Sequence, residues 1–474
     1  MNINVFSTSL GQKSLRTVYP FSLRKYLSFM NKNPTKFYYF IPNKGMKIGS
    51  KIHIFESEKL GEGSYGSVYR CSDEHGNAYA VKCIKMNETG IPNILENSIM
   101  TTISHPNLNT ALHIHTESNE VHIFQNLAKT DLARFTRKQQ RSTKKLIHPE
   151  LLRKWSYGLV QGLACLHRQK IIHADVKANN VLLFGDQTVK LGDFTLAVRA
   201  WGRYRKENKK ETDSLSADDA STQPQVFNHR VCTYSHRPPE CWFRKGWSYP
   251  LDIWSLGCTL FEIAYGRLLF PSQGKITDKE SKKLVYRRAI NCLLDWAKNG
   301  PNASSCPAWI DAFRMHQNIE YKKATLPILF KRPEYRAFNQ LVMWMLKIDP
   351  LQRPNIDQVL KHEYFTGLKS LPYKIVSTAP KVIPRKEQHR LSRYLEQRVK
   401  NLHIRDLAAE LYGRCTTLKC ISEQLKVATC VWIAEKLVRM YPRENGLSRS
   451  LIYECERKIC QHLSFRLHTS ATEK

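Results

Sequence analysis

A glycine-rich run near the start of the chain constrains its fold more than any other sequence feature. Residues 60–68 read LGEGSYGSV, and a strand-like run continues directly from the last glycine. Glycines allow backbone N–H groups to approach phosphate oxygens closely, because no Cβ atom intervenes. A dinucleotide-binding turn also contains glycines, but a helix follows that turn. The run therefore predicts a β-hairpin that covers the phosphates of a nucleotide.

We expect the whole run to bind the nucleotide, together with residues on the next strand. The residues of the run are Leu60, Gly61, Glu62, Gly63, Ser64, Tyr65, Gly66, Ser67 and Val68. The next strand-like run adds Ala80 and Lys82, and Glu96 lies in the helical run 94–103 that follows. A lysine that faces phosphates needs an acidic partner, so Lys82 is predicted to pair with Glu96. The alternative is that the two are unrelated exposed charges.

A second motif carries the groups that phosphoryl transfer requires. Residues 173–180 read HADVKANN, and Asp193 follows the next strand-like run. The reaction needs a carboxylate that orients the attacking hydroxyl and accepts its proton, which is the role predicted for Asp175. Lys177 and Mg²⁺ would neutralise charge on the transferred group, with Asn180 and Asp193 as the metal ligands. The expected cofactors are therefore ATP and Mg²⁺.

These motifs, in this order, resemble the eukaryotic protein kinase family over residues 54–366. Residues 193–195, Asp-Phe-Thr, resemble that family's Asp-Phe-Gly motif, and residues 238–240 resemble its Ala-Pro-Glu motif. The resemblance implies that Asp252 anchors the catalytic loop. It also implies that Arg353 pairs with the glutamate of the Ala-Pro-Glu-like motif.

The same resemblance implies an α+β chain with the bilobal kinase fold. A β-rich small lobe would occupy residues 51–130 and an α-rich large lobe residues 131–369, with an activation-segment insertion at residues 201–225. Asp131 would lie close to the ribose, and Thr233 would contact the catalytic loop, which is the serine/threonine kinase pattern. The alternative class is a pseudokinase, which would use the fold as an interaction scaffold.

Within the family, the chain is most similar to cyclin-dependent kinases. Residues 90–100 resemble the helix with which those kinases bind a cyclin. Three arginines of the family clamp a phosphothreonine in the activation segment, and Leu95, Ala174 and Val198 stand at their positions. Asn228 stands where the phosphothreonine would be. Clamp and phosphate are thus missing together, and we expect activity without a phosphate in this segment.

The C-terminal part of the chain resembles a cyclin. A proline-containing linker, residues 370–385, leads into a helical segment, residues 386–474. Residues 426–436 and 454–465 resemble later helices of a cyclin box, and residues 407–414 resemble its second helix. We therefore expect a C-terminal all-α cyclin-like domain that docks on the cyclin-binding helix, in cis or in trans. The alternative is a generic helical appendix.

The amino-acid composition indicates which classes of partner and which cellular compartment to expect. The formal net charge of +33 favours acidic partners, but no basic motif with interleaved aromatic residues supports direct nucleic-acid binding. No apolar run is long enough to predict a membrane span. The 13 scattered cysteines indicate reduced thiols, which are typical of the cytoplasm or nucleus. An infected host cell would also offer such a compartment. Residues 1–50, basic and without Asp or Glu, predict a flexible extension, with a mitochondrial transit peptide as the alternative.

Together the motifs predict a serine/threonine kinase that acts on protein substrates and is activated by its own cyclin-like domain. Arg237 immediately precedes the Ala-Pro-Glu-like motif. It matches an arginine that helps proline-directed kinases accept proline after the target residue. A preference for Ser-Pro or Thr-Pro sequences is therefore expected.

Overall fold

The computed structural model describes residues 36–39, 51–63, 66–73, 76–85, 94–117, 120–200, 231–242, 246–270, 332–372, 374–375, 402–415, 421–437 and 449–463, together with Leu391, Leu395, Val399 and Leu418. The predictions for Ser64, Tyr65, Asn228 and residues 201–225 lie outside the described residues. The chain divides into two compact units, residues 1–84 and residues 85–474.

The first unit contains antiparallel strands that pair in chain order. They are β1 (Lys36–Tyr39), β2 (Lys51–Gly63), β3 (Gly66–Asp73) and β4 (Ala78–Lys85). The β2–β3 hairpin closes from Gly63 to Gly66, so a strand follows the glycine-rich turn, as predicted. β1 lies inside the extension predicted to be flexible, which is a difference from the prediction. Its sequence, KFYY, is rich in aromatic residues that favour strands, and it pairs with the beginning of β2.

The second unit begins with a helix and a hairpin. α1 (Ile94–Thr102) leads directly into β5 (Ile103–Ser104), and β6 (His113–Glu117) pairs antiparallel with β7 (Glu120–Asn126). The predicted helical run therefore ends one residue early, at the start of β5. Every residue of α1 from 95 to 100 is buried.

Longer helices and short strands follow. The helices are α2 (Leu132–Thr143), α3 (Pro149–Arg168), α4 (Pro239–Trp242), α5 (Pro250–Tyr265), α6 (Arg336–Met345) and α7 (Ile356–Leu360). The strands are β8 (Thr130–Asp131), β9 (Ile171–Ile172), β10 (Val181–Leu183), β11 (Val189–Leu191) and β12 (Val198–Arg199). α5 forms the centre of this helical region, since it packs against α2, α3 and α6 and is buried from residue 251 to residue 264.

Local signals set several helix boundaries. Asp131 caps α2, because its side chain accepts a hydrogen bond from the backbone N–H of Arg134. Pro149 begins α3, where its missing N–H costs nothing. Asn355 and Gln358 form a reciprocal capping box at the start of α7.

The C-terminal helices pack around one central helix. α9 (Glu423–Leu437) lies against α8 (Leu402–Arg414), α10 (Arg449–His462) and also α1. Three neighbours explain why the sequence of α9 is apolar on most sides. A short strand within the predicted linker, β13 (Lys374–Ile375), pairs with β5 directly after α1. Among the described helices, none combines the length and apolar character that a membrane crossing requires.

Candidate active site

In the first unit, predicted nucleotide-binding residues come together on adjacent strands. Val68 lies opposite Lys82 in the β3–β4 register, and Ala80 precedes Lys82 by two residues on β4. Opposite residues of an antiparallel pair project from the same face of a sheet, as do residues two apart on one strand. Val68, Ala80 and Lys82 therefore share one face. Gly61 pairs with Val68 across the hairpin and adds a position without a side chain.

The glycine-rich hairpin is closely packed at one end and open at the other. A Cβ atom at Gly66 would lie 2.1 Å from the carbonyl oxygen of Cys83, so only glycine fits there. At the opposite end Leu60 is 42% exposed and offers apolar surface to a planar base. Glu62 pairs with Lys59 at 2.9 Å, which offsets a negative charge that would repel phosphate.

In the second unit, Asp175 is the centre of the predicted catalytic loop. Its Oδ1 accepts hydrogen bonds from the backbone N–H and the hydroxyl of Thr233, at 3.0 and 2.8 Å. Its Oδ2 accepts from Lys177 Nζ at 2.6 Å and from Asn180 Nδ2 at 3.3 Å. Lys177 also donates to the hydroxyl of Thr233 at 3.0 Å. The structure thus brings four of the predicted site residues into one hydrogen-bonded group.

This environment keeps Asp175 ionised. Burial raises the pKa of its carboxyl group, but Lys177 and the hydroxyl of Thr233 outweigh burial and hold the pKa below its usual 3.8. The stability that these contacts contribute is present above that usual pKa and is lost as the pH falls through the lowered one. A carboxylate has about four lone-pair positions, and all of them are in use. A substrate hydroxyl must therefore displace one of the present donors.

Asp252 holds the catalytic loop in place, as the family resemblance implies. It is fully buried, and its carboxylate accepts from the backbone N–H groups of His173 and Ala174 at 2.8 and 2.9 Å. His173 Nδ1 accepts from the backbone N–H of Asp175 at 3.2 Å, so its Nε2 donates to the carbonyl oxygen of Gly192 at 3.1 Å. These bonds tie the loop to the strand end that carries the second predicted metal ligand.

Asn180 and Asp193 suit a magnesium ion. Asn180 Nδ2 donates to the backbone oxygen of Asp175 at 2.9 Å, so its amide oxygen is the atom left for a cation. The backbone N–H of Gly192 donates to the carbonyl oxygen of Asn180 at 2.9 Å, and the exposed Asp193 follows directly. Mg²⁺ commonly takes one or two protein oxygens and completes its shell with water and substrate phosphates. The two oxygen donors therefore fit the group that the motif predicts.

Glu96 has a neighbour that the sequence analysis missed. Glu96 is fully buried in α1, and its Oε2 lies 3.3 Å from the hydroxyl oxygen of Thr195. The same hydroxyl donates to Asp193 Oδ1 at 2.6 Å. The signal available in the sequence was the replacement of the motif's glycine by a residue with a hydrogen-bonding side chain. The pairing of Glu96 with Lys82 stays a prediction.

Asp131, Glu240 and Arg353 occupy structural positions. The Asp131 carboxylate caps α2 and lies 3.2 Å from Arg134 Nε, and its contact with the ribose stays a prediction. Arg353 donates to both oxygens of Glu240, at 2.7 and 2.8 Å, in a pair with almost no exposure. This is the pairing that the resemblance implies.

Comparison with known proteins identifies the family. Residues 55–365 match the model of the protein kinase domain. The chain belongs to the protein kinase family. Cyclin-dependent kinase 15 of Mus musculus is 30% identical to this kinase over 347 residues, and that of Homo sapiens is 29% identical over 348 residues. Each alignment covers 70% of both chains. This kinase is thus similar to cyclin-dependent kinases, its β-rich and helical regions fit the bilobal kinase fold, and that fold implies ATP binding.

Apolar side chains occupy the three positions that the family resemblance assigns to a phosphothreonine clamp. Ala174 and Val198 are fully buried in one hydrophobic cluster, which also contains Trp247. Leu95, at the third position, is 2% exposed within α1. No cation stands at any of these three described positions, so they offer no charge to a phosphate. Ala174 also has a φ of 62°, a conformation that side chains larger than glycine rarely adopt.

Arg199, which follows the clamp position Val198, is affected by the charge of Glu410 in the C-terminal helices. Burial lowers the pKa of Arg199, on β12, and the carboxylate of Glu410 and the phenol of Tyr249 act in the opposite direction. Glu410 belongs to α8, so a charge of the C-terminal helices acts on the segment that follows Asp193. The sequence analysis missed this pair, because nothing local links residues so far apart in the chain.

Proposed function

We propose that this kinase transfers the γ-phosphate of ATP to serine or threonine hydroxyls of protein substrates. The observation that carries the proposal is the contact of Thr233 with both Asp175 and Lys177. This is the arrangement expected of serine/threonine kinases from the family resemblance. The complete hydrogen-bonded group around Asp175 favours catalysis over a purely non-catalytic scaffold.

The residues of the loop divide the chemistry between them. Asp175 is ionised and accepts a hydrogen bond from the attacking hydroxyl, which it orients toward the phosphate. Its lowered pKa makes it a weak base, so it receives the proton late, as the bond to phosphorus forms. Lys177 holds positive charge beside the reacting group. Asn180 and Asp193 would hold Mg²⁺, which when bound neutralises charge on the phosphates of ATP.

The replacement Asp175→Asn tests this proposal. Turnover should fall by about two to four orders of magnitude, because the hydroxyl loses its acceptor, while ATP binding stays close to normal. Asp186→Asn is a matched control, since Asp186 is exposed on a turn between strands. Phosphoamino acid analysis identifies the target hydroxyl. Equal turnover in both variants would remove Asp175 from its role, and ATP binding without transfer by the unmodified chain would favour the scaffold.

We also propose a preference for proline after the target residue. Cys232, next to Thr233, has a left-handed φ of 69°, and its carbonyl oxygen accepts from Arg237 Nη2 at 2.7 Å. Because this carbonyl is engaged, a substrate N–H placed near it would lose its hydrogen bond with water without gaining another. Proline has no N–H and avoids that cost. Phosphorylation of a degenerate peptide library should show enrichment for proline, and Arg237→Ala should weaken it; a library without enrichment would reject the proposal.

We further propose that the C-terminal helices are a cyclin-like activator in the same chain. α9 packs against α1, which is the helix expected to bind a cyclin. β13 pairs with β5 at the end of α1, so residues 374–375 of the linker also lie beside this helix. Tethering raises the effective concentration of a domain to about the millimolar range, so even a weak contact is populated. The chain should therefore be active without a separate cyclin.

Truncation tests this activation. A chain that ends at Ser370 lacks β13 and the described C-terminal helices α8, α9 and α10, whereas the full chain retains them. After phosphatase treatment of both, the full chain should be active and the truncated chain should lose most of its activity. Adding the separate segment 386–474 should restore part of it. A folded truncated chain with full activity would show instead that the helices serve as a substrate or partner adaptor.

The proposed acidic partners have a candidate surface on α2. The sequence of this helix contains no Asp or Glu, and its basic residues recur at the spacing that places them on one face. These basic residues are Arg134, Arg137, Lys138 and Arg141. They line an open depression of about 560 Å³ on the surface. We expect Lys138→Glu with Arg141→Glu to raise KM for peptides with an acidic flank and not for neutral ones. Lys361→Glu, at an exposed position, is the control; equal effects on both peptides would reject the surface.

A further inference from the structure

The hydroxyl of Thr195 lies between two carboxylates with separate predicted roles. It is 2.6 Å from Oδ1 of Asp193, the predicted metal ligand, and 3.3 Å from Oε2 of Glu96 on α1. Glu96 is fully buried and Thr195 is 9% exposed. The contact therefore connects α1 with the segment that begins at Asp193, and water competes with it only weakly.

The two contacts differ in strength. A hydroxyl has one proton to donate, so at any moment it serves one carboxylate. The 2.6 Å distance to Asp193 lies in the range of short, charge-assisted O–H···O⁻ bonds, whereas 3.3 Å is longer than a normal bond of this kind. Asp193 is thus the main acceptor. Glu96 is close enough to become the acceptor after a small shift of the hydroxyl.

The backbone also positions this hydroxyl. Asp193 has φ 59° and ψ 72°, a left-handed conformation that non-glycine residues rarely adopt. Residues 194–196 then form a single 3₁₀ turn, closed by a hydrogen bond from the N–H of Ala197 to the carbonyl oxygen of Phe194 at 3.0 Å. Phe194 is fully buried, with its ring 5.5 Å from that of His173. Because threonine is β-branched, its side chain has little rotational freedom within such a turn.

We propose that Thr195 is a positioning residue that fixes the carboxylate of Asp193 for Mg²⁺ and couples its orientation to the placement of α1 through Glu96. This inference rests on the proposed phosphotransfer, for which Asp193 is a metal ligand. A glycine at this position could not make either contact. The residue that replaces the glycine of the family's motif therefore supplies an interaction as well as restricting the backbone.

Three replacements separate the hydroxyl from the shape of the side chain. Thr195→Val keeps the volume and the β-branch and removes the donor, Thr195→Ser keeps the donor, and Thr195→Gly removes both. Thr136→Val is a matched control, because Thr136 is a buried threonine whose hydroxyl donates within its own helix, to the carbonyl oxygen of Leu132 at 2.9 Å. Unfolding by heat should show that each variant is folded.

Two measurements, neither of which depends on turnover, can test the coupling between Asp193 and α1. The first is the Mg²⁺ dependence of ADP binding, by calorimetry. Thr195→Val should weaken the apparent Mg²⁺ affinity by on the order of tenfold, from the loss of one charge-assisted hydrogen bond. The second is hydrogen exchange of α1 without metal or nucleotide, which should become faster in Thr195→Val and Thr195→Gly. Thr195→Ser and Thr136→Val should match the unmodified chain in both measurements.

The outcomes are distinct. Unchanged Mg²⁺ affinity and unchanged exchange in Thr195→Val would overturn the proposal, as would a Thr195→Ser variant that behaves like Thr195→Val, since packing would then explain the effect. If the proposed kinase function itself is wrong, the unmodified chain will show no phosphoryl transfer, which is a separate result. Binding and exchange report on Thr195 in either case.

Discussion

The C-terminal helices contain two lysine–glutamate pairs that differ mainly in burial, and they allow a quantitative test. Lys436 on α9 lies 2.7 Å from Glu456 on α10, with exposed side-chain fractions of 14% and 0%. Lys458 lies 2.6 Å from Glu454 within α10, with exposed fractions of 41% and 50%. The distances are nearly equal, so burial should decide the contribution of each pair. We predict that Lys436→Met strongly destabilises these helices and that Lys458→Met has little effect.

The expected magnitude follows from the burial of Glu456. At 2.7 Å and an effective dielectric constant of about 20, the attraction in the Lys436 pair is about 6 kcal/mol before the cost of desolvation is subtracted. Removing the lysine leaves a desolvated carboxylate, and breaking a buried pair in this way costs about 3–5 kcal/mol. Replacing both residues, as in Lys436→Met with Glu456→Leu, should recover most of this loss, because no unpaired charge stays buried.

Hydrogen exchange measured on α9 and α10 gives the local free energy of opening directly. Lys436→Met should lower protection across both helices, and the double variant should restore it. If α9 supports α1 as proposed, kinase activity should fall in the single variant and return in the double one. Equal protection in Lys436→Met and Lys458→Met would refute the argument that burial sets the strength of these pairs.

Three further predictions concern the kinase domain and the charge of α8 that acts on it. Glu240→Gln should destabilise it by about 3–5 kcal/mol in urea unfolding, because Arg353 would stay buried without a compensating charge; a loss below about 1 kcal/mol would contradict this. Ala174→Arg should lower the melting temperature and confer no dependence on activation-segment phosphate, since the arginine would enter an apolar cluster; a stable variant activated by phosphate would be the opposite outcome. Glu410→Gln should lower kcat, and exchanging the two charges, as in Glu410→Arg with Arg199→Glu, should restore part of it; equal activity in all three proteins would exclude a role of this charge pair in activation.

The sequence by itself determined the features that depend on neighbouring residues. The glycine-rich turn followed by a strand predicted the β2–β3 hairpin, because backbone access to phosphates and strand pairing are local requirements. The order of the kinase motifs predicted the family and its extent, and residues 55–365 match it. Residues 426–436 were expected to be helical, and α9 spans Glu423–Leu437. β1 was missed, since a four-residue strand carries too little periodicity to be recognised.

Only the tertiary structure decided which distant groups meet. Thr195 reaches Glu96 across 99 positions, whereas the contact of Thr233 with the catalytic loop was already implied by the family resemblance. Such contacts leave no local pattern in the sequence, because they depend on how helices and strands pack after each has formed. The resemblance implied that the C-terminal segment docks on α1, but only packing decided that α9 is a helix that lies against it, because several helices of the segment could have presented an apolar face.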